Sequence, residues 1–323
     1  MIVGAVSSFQ PARLPARASG GGGPSSEAKP DRVEFSLPAV DPEPLPALSM
    51  SVDVERFRVR PGQPVDLSQI PTTPPEGVPT SKKDSERLLA AMHKEISELQ
   101  RRLFSENQRA LLFVFQGMDA AGKGGSFKDV FAPLMRKTEE GVERAAFKVP
   151  TSEERDHDFL WRIHAETPNK GNIGFFDRSH YEDIVEVRVQ NLAPEEVWSA
   201  RYDQVNDYER HQSELGTRIV KIFLHIGKDE QKERLEERRE EPHKQYKFSA
   251  SDVARRKQWA EYQGAYGDAL TRTSTEEAPW YIVPADDKEA RNLIVASILL
   301  KTLREMDPQV PPLPEDLARL EIV

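Results

Sequence analysis

Seven residues, Gly117-Met118-Asp119-Ala120-Ala121-Gly122-Lys123, have the spacing of the phosphate-binding loop G-x-x-x-x-G-K. Small residues there let the backbone curl, so that successive N–H groups point inward at phosphate oxygens. The lysine adds a full charge, and the helix that follows presents its positive end. Gly117, Ala120, Ala121, Gly122, Gly124 and Gly125 are therefore the expected cradle, with Lys123 as its cation. Position 124, where a Ser or Thr hydroxyl ordinarily holds Mg²⁺, is glycine; Ser126 comes two residues later, on another side of the helix. The loop carries a carboxylate instead, Asp119. An acid among phosphates only repels them unless it holds a metal ion, directly or through water. The competing reading is a glycine-rich turn that binds nothing.

A second motif, Asn172-Ile173-Gly174-Phe175-Phe176-Asp177-Arg178-Ser179-His180-Tyr181-Glu182-Asp183, supplies what such a loop lacks. Asp177 follows a short apolar strand and is the expected second anchor for Mg²⁺. Arg178 has the planar fork that clamps phosphate oxygens. Ser179 and Glu182 have the spacing of a capping box at the start of the next helix. Asp183 and Arg188 are either a surface pair or face the acceptor. Lys148 follows another short strand, on the ligand side of an open α/β sheet, and reads equally as a solvated surface lysine. His157 and His164, seven apart on one expected helical face, invite a metal reading, but no third ligand is suggested. His225 reads as structural.

These residues need elements to hold them. Leu111 to Phe115 is an apolar run suited to a strand buried on both faces. Leu88, Met92, Ile96, Leu99 and Leu103 form one helical stripe that begins after Ser81 or Asp84. Helices are expected over 126–135, 153–165, 195–215, 229–240, 259–270 and 287–306. Strands are expected over 144–147, 173–176, 217–226 and 280–283. Residues 228–257 form a charged run in which Arg234 and Arg238 share a helical face, while Lys244 and Lys247 follow Pro242 in a loop. Such a run is either a solvated face or a mobile cover that excludes water from phosphate chemistry.

Residues 1–50 are rich in Gly, Pro, Ser and Ala and read as a disordered extension. Residues 51–82 read as an extended segment lying across the domain surface. The domain is expected to run from 51 to 308, with 309–323 as a tail. The chain of 323 residues has no cysteine, which excludes disulfides, thiolate zinc sites and a thiol nucleophile. No apolar run reaches the ~20 residues of a membrane span, and no signal peptide is apparent, so a cytoplasmic location without a membrane partner is expected. The net charge of −9 argues against nucleic acid as a partner. It leaves a polyanionic substrate open, because distant charges are screened beyond ~8 Å.

Together, GMDAAGKGG at 117–125, FKVPT at 147–151, HDFLWRIHAETPNKGNIGFFDRSHYED at 157–183, the stretch from Gln231 to Phe248 and STEEAPWYIVPADDK at 274–288 resemble the polyphosphate kinase 2 family. The resemblance covers about residues 52–308. It implies an α/β fold, a P-loop kinase-like parallel sheet flanked by helices (thymidylate-kinase-like) with a helical lid at about 228–257. It also implies Mg²⁺, inorganic polyphosphate and AMP, ADP or ATP as ligands, and a homodimer or homotetramer. By position, Asp119 and Asp177 would organise the metal and the acceptor phosphate. Lys123 and Arg178 would neutralise the transferred group, and Lys148, Arg234, Arg238, Lys244 and Lys247 would guide phosphates. Tyr246 stands where family members commonly carry tryptophan. The expected reaction is direct in-line transfer. The rivals are an ATP-dependent nucleotide or nucleoside kinase and a nucleotide-binding module without activity.

Overall fold

The computed structural model describes residues 52–138 and 141–320. The expected disordered extension over 1–50 lies outside the described residues. Helix α1 (Lys82–Glu106) starts at an N-cap, Ser81, whose side chain accepts from the Asp84 N–H. Strand β1 (Ala110–Gln116) is buried along its whole length. After the glycine loop, α2 (Lys123–Ser126) runs through a five-residue π-bulge, Phe127–Phe131, into α3 (Ala132–Thr138). Then follow β2 (Val142–Ala146), α4 (Ser152–Asp156), α5 (Trp161–Ala165), β3 (Ile173–Asp177), α6 (Glu182–Val189) and α7 (Glu195–Glu214). The chain continues through β4 (Thr217–His225), α8 (Lys228–Glu240), α9 (Ala250–Lys257), α10 (Trp259–Thr273), β5 (Trp280–Pro284), α11 (Lys288–Met306) and α12 (Glu315–Ala318).

The five strands are parallel in the order β2-β3-β1-β4-β5. β1 is central, so helices must cover both sheet faces, and its side chains are apolar from Ala110 to Phe115. α1 and α11 pack together with α3 on one side, and α6, α7 and α10 pack together on the other. Phe115 stacks on Phe175 with ring centroids 4.4 Å apart, and Phe131 meets both edge-on. This aromatic cluster anchors the helix that leaves the glycine loop. All strand C-termini point to one edge of the sheet, the edge where open α/β sheets bind ligands.

Three expectations change. A single helix over 153–165 is replaced by α4 and α5. His157 is extended, and Asp158 makes a local turn by accepting from the Leu160 N–H at 2.9 Å, a bond that competes with helix propagation. His157 therefore lies between the two helices and stacks on Trp161, while His164 lies on α5 and meets Tyr208 edge-on. The capping box at Ser179 is absent. Its hydroxyl accepts from the Tyr181 N–H, α6 begins at Glu182, and the capping box forms instead at Thr151 and Glu154. The segment over 52–80 does more than cross the surface. It buries Phe57, Val59 and Leu67 in the core, and Arg58 forms an antiparallel bridge with Tyr281 at the β5 edge. His225 is structural: its Nε2 lies 3.1 Å from the carbonyls of Leu67 and Ile70.

Candidate active site

The turn from β1 into α2 bends tightly enough to need unusual backbone. Gly117 and Gly122 have φ of 145° and 113°, and Ala120 has φ of 65° despite its side chain. Arg178, at the end of β3, also has positive φ, 66°. A non-glycine residue in this region is strained, and such strain concentrates where a side chain must be aimed. β1 and β3 are neighbours, with Phe115 in register with Asp177. The two motifs therefore face one cleft of about 750 Å³.

The charge of that cleft differs from the charge of the chain. Its walls carry seven cations, Lys123, Lys128, Arg144, Lys148, Arg178, Arg238 and Lys247, against three carboxylates, Asp119, Asp177 and Asp252. Asp119 accepts from Arg178 Nη2 at 3.1 Å and lies 3.5 Å from Arg255 Nη1. Burial pushes the Asp119 pKa up, but Lys123, Arg178 and Arg255 outweigh it and hold the carboxyl below its ordinary value. Asp177 pairs with Arg144 at 3.2 Å. Lys123 Nζ donates to the Gly117 carbonyl at 2.6 Å, folded back against its own loop. Among the described residues no group of three or more His, Asp or Glu side chains is placed to hold a metal. Mg²⁺ commonly takes one or two carboxylates and completes its shell with water and phosphate oxygens. Two acids facing one cleft fit that habit.

The remaining sequence-derived candidates divide. Gly124, Gly125, Lys148, Arg238 and Lys247 line the cleft together with Ala120 and Gly122. Gly117 and Ala121 shape the loop from behind. Arg234 does not line the cleft. It is buried, and its guanidinium donates to the carbonyls of Ala120, Ala121, Ala285 and Asp286 while pairing with Glu230 at 2.6 Å. It braces the loop against the start of α11. Arg234→Met should therefore destabilise the protein by about 1–3 kcal/mol, the cost of stranding buried acceptors. Chemical denaturation measures this, and an unchanged midpoint would show that the carbonyls find other donors.

Lys244 lies outside the cleft, held by Glu237 at 2.5 Å and Glu241 at 2.9 Å. Asp183 and Arg188 pair neither with each other nor with the cleft. Asp183 accepts from Arg162 at 3.1 Å, and Arg162 also donates to the Lys148 carbonyl at 2.9 Å, so Asp183 supports the Lys148 turn indirectly. Arg188 pairs with Asp268 at 2.6 Å and lies over Trp198.

Several groups at the site lie outside the sequence-derived site candidates. Arg255 reaches Asp119 from α9 and is fixed by Glu186 at 3.0 Å. Arg144 lies over the Phe127 ring at 4.5 Å while pairing with Asp177. Glu182 lies 3.9 Å from Arg178; burial raises its pKa against the pull of Arg178 and Lys123. Tyr246 is 80% exposed at the mouth, where an aromatic face can meet a ligand. The basic triplet Arg255-Arg256-Lys257 was the one available signal for Arg255.

Comparison with known proteins sets this geometry among relatives. The sequence model of the family described as Polyphosphate kinase 2 matches residues 79–311. The chain is 41% identical over 258 residues to an AMP/ADP-polyphosphate phosphotransferase of Meiothermus ruber, covering 80% of this chain and 96% of that protein. It is 40% identical to an ADP-polyphosphate phosphotransferase of Rhodopseudomonas palustris, covering 81% and 93%. The crystal structure of Polyphosphate Kinase 2 from Arthrobacter aurescens superposes with a TM-score of 0.76 at 40% identity, covering 82% of this chain and 93% of that one.

Proposed function

The chain belongs to the polyphosphate kinase 2 family, and on that premise we propose that it transfers a phosphoryl group between inorganic polyphosphate and a nucleotide, AMP to ADP, ADP to ATP, or both. The carrying observation is the cationic cleft around the glycine loop in a chain of net charge −9. An acidic protein has little reason to collect seven cations around one loop unless a polyanion enters there. Asp119 and Asp177 would hold Mg²⁺, which would supply charge neutralisation to the phosphates. Lys123 and Arg178 would neutralise the migrating group, while Lys148, Arg238 and Lys247 guide the phosphate chain. The acceptor is already anionic at neutral pH, so in-line transfer needs no strong general base and no covalent enzyme intermediate. Catalysis is then positioning plus charge neutralisation. A cytoplasmic setting and a homodimer or homotetramer belong to the same proposal. No helix among the described residues is long and apolar enough to cross a membrane.

The test is transfer by purified protein with long-chain polyphosphate, Mg²⁺ and either AMP or ADP, the nucleotides being resolved by chromatography. ADP and ATP should appear from AMP, and ATP from ADP, with EDTA abolishing both. Product from ADP alone would narrow the acceptor. No product from either, with ATP serving as donor to another substrate, would move the chain to ordinary nucleotide kinases.

A further inference from the structure

Arg291 sits near the start of α11 and is 3% exposed. Its Nε and Nη2 donate to Asn292 Oδ1 at 3.2 and 2.9 Å, and its Nη1 reaches the Ala121 carbonyl at 3.5 Å. Asn292 in turn donates to Asp129 at 2.9 Å. Among the described residues no carboxylate forms an ion pair with this guanidinium. Its neighbourhood adds to the cost. Burial first, then repulsion from Arg234, pull its pKa down to about 10 against the attraction of Asp129, Glu289 and Asp287. A buried charge without a directly paired counter-charge is destabilising, and methionine or leucine would fill similar space without that cost.

Its position supplies the reason. The guanidinium lies directly behind the glycine loop. A Cβ placed on Gly122 would overlap Nη1, and one on Gly125 would come within 2.9 Å of Nη2. These two glycines thus make room for a cation on the inner side of the loop while Lys123 and Lys128 line the outer side. We propose that Arg291 is a positioning residue for phosphate capture: its charge, held behind Gly122 and Gly125 and directly paired with no carboxylate, adds to the field that draws a polyphosphate anion into the cleft. It acts through the loop and does not touch phosphate. This rests on the phosphotransferase reading and extends it to an inner cation layer that the sequence motifs do not include.

Calorimetric titration of the full chain with sodium tripolyphosphate tests it. Arg291→Met should weaken binding about tenfold, the effect of one unit charge several ångströms away at intermediate dielectric. The ligand-free melting temperature should hold or rise, and the ligand-induced shift should shrink with the lost affinity. Arg291→Lys keeps the charge and should bind within about threefold of wild type, since only the planar fork is lost. Arg291→Gln, which keeps a donor toward the Ala121 carbonyl without the charge, should weaken binding as Arg291→Met does and keeps the test available if that variant does not fold. Wild-type affinity in Arg291→Met, or equal losses in the Met and Lys variants, would overturn the inference alone. Failure of the wild type to bind tripolyphosphate would overturn the phosphotransferase reading and this inference with it.

Discussion

Lys123→Ala should lose on the order of 100-fold or more in turnover while its melting temperature stays near that of the wild type. The argument rests on where the ammonium is and what it does for the fold. Nζ donates to the Gly117 carbonyl at 2.6 Å and lies 3.5 Å from that of Met118. Both carbonyls belong to the loop beside an open cleft, where water can replace a lost donor. Strand β1 and the aromatic cluster beneath the loop do not involve the lysine. The charge itself has no substitute: it stands among Asp119, Asp177 and Arg178, where phosphate charge would be redistributed during transfer. One preorganised donor at such a position is worth ~3 kcal/mol. Steady-state turnover with polyphosphate and ADP, measured beside a thermal melt, gives the answer. Near-normal turnover in a folded variant would defeat the site assignment.

Glu209→Leu should destabilise the protein by about 3–5 kcal/mol, because it strands a buried ammonium. Lys221 projects from β4 into the layer beneath α7 with no solvent exposure. Its Nζ pairs with Glu209 and donates to the Thr273 carbonyl at 2.6 Å and to the Tyr181 hydroxyl at 3.0 Å. Glu209 also holds His180 at 3.1 Å and accepts from Tyr181 at 2.9 Å. Burial works to raise the Glu209 pKa, but Lys221 and His180 outweigh it and hold the carboxyl below its usual value. Removing one partner leaves the other charged in a dry interior, whereas removing both leaves a merely apolar gap. Glu209→Leu with Lys221→Met should therefore recover most of the loss. For a domain of this size the single variant should melt on the order of 10 °C lower. A single variant that melts like the wild type would mean that Lys221 is neutral in the fold. His180 and Tyr181 lie two and three residues after Arg178, so loosening this network also loosens the strained turn that aims the arginine.

Local chemistry was legible in the sequence, and partnership was not. The run Leu111 to Phe115, the glycine loop and Asp177 after an apolar strand are each defined by neighbours within a few residues, so composition alone could place them. Arg234 shows the limit. A guanidinium on a charged helix face reads the same whether it meets phosphate or backbone carbonyls, and only the tertiary approach of residues 120–121 and 285–286 decides. Arg255 and Arg291 lie far along the chain from the loop they serve, and no spacing connects them to it. The helix expected over 153–165 failed for a local reason: Asp158 offers the backbone a turn that pattern matching passes over. Ser179 and Glu182 had the right spacing for a capping box, but the turn after Arg178 delays the helix start and turns Glu182 toward the arginine.

The family model begins at residue 79, yet the folded body begins earlier. Residues 54–67 lay Phe57, Val59 and Leu67 into the core, and Val59 donates to the Trp280 carbonyl at 2.8 Å along the outer strand. The span matched by the family model is therefore shorter than the unit that folds. A gene fragment trimmed to residues 79–311 would bare an apolar seam and an unpaired strand edge, the two features that drive chains to stick to one another. Anyone grafting this body into a fusion protein should place the junction before Val54, and treat the stretch ahead of α1 as the cover of the β5 edge.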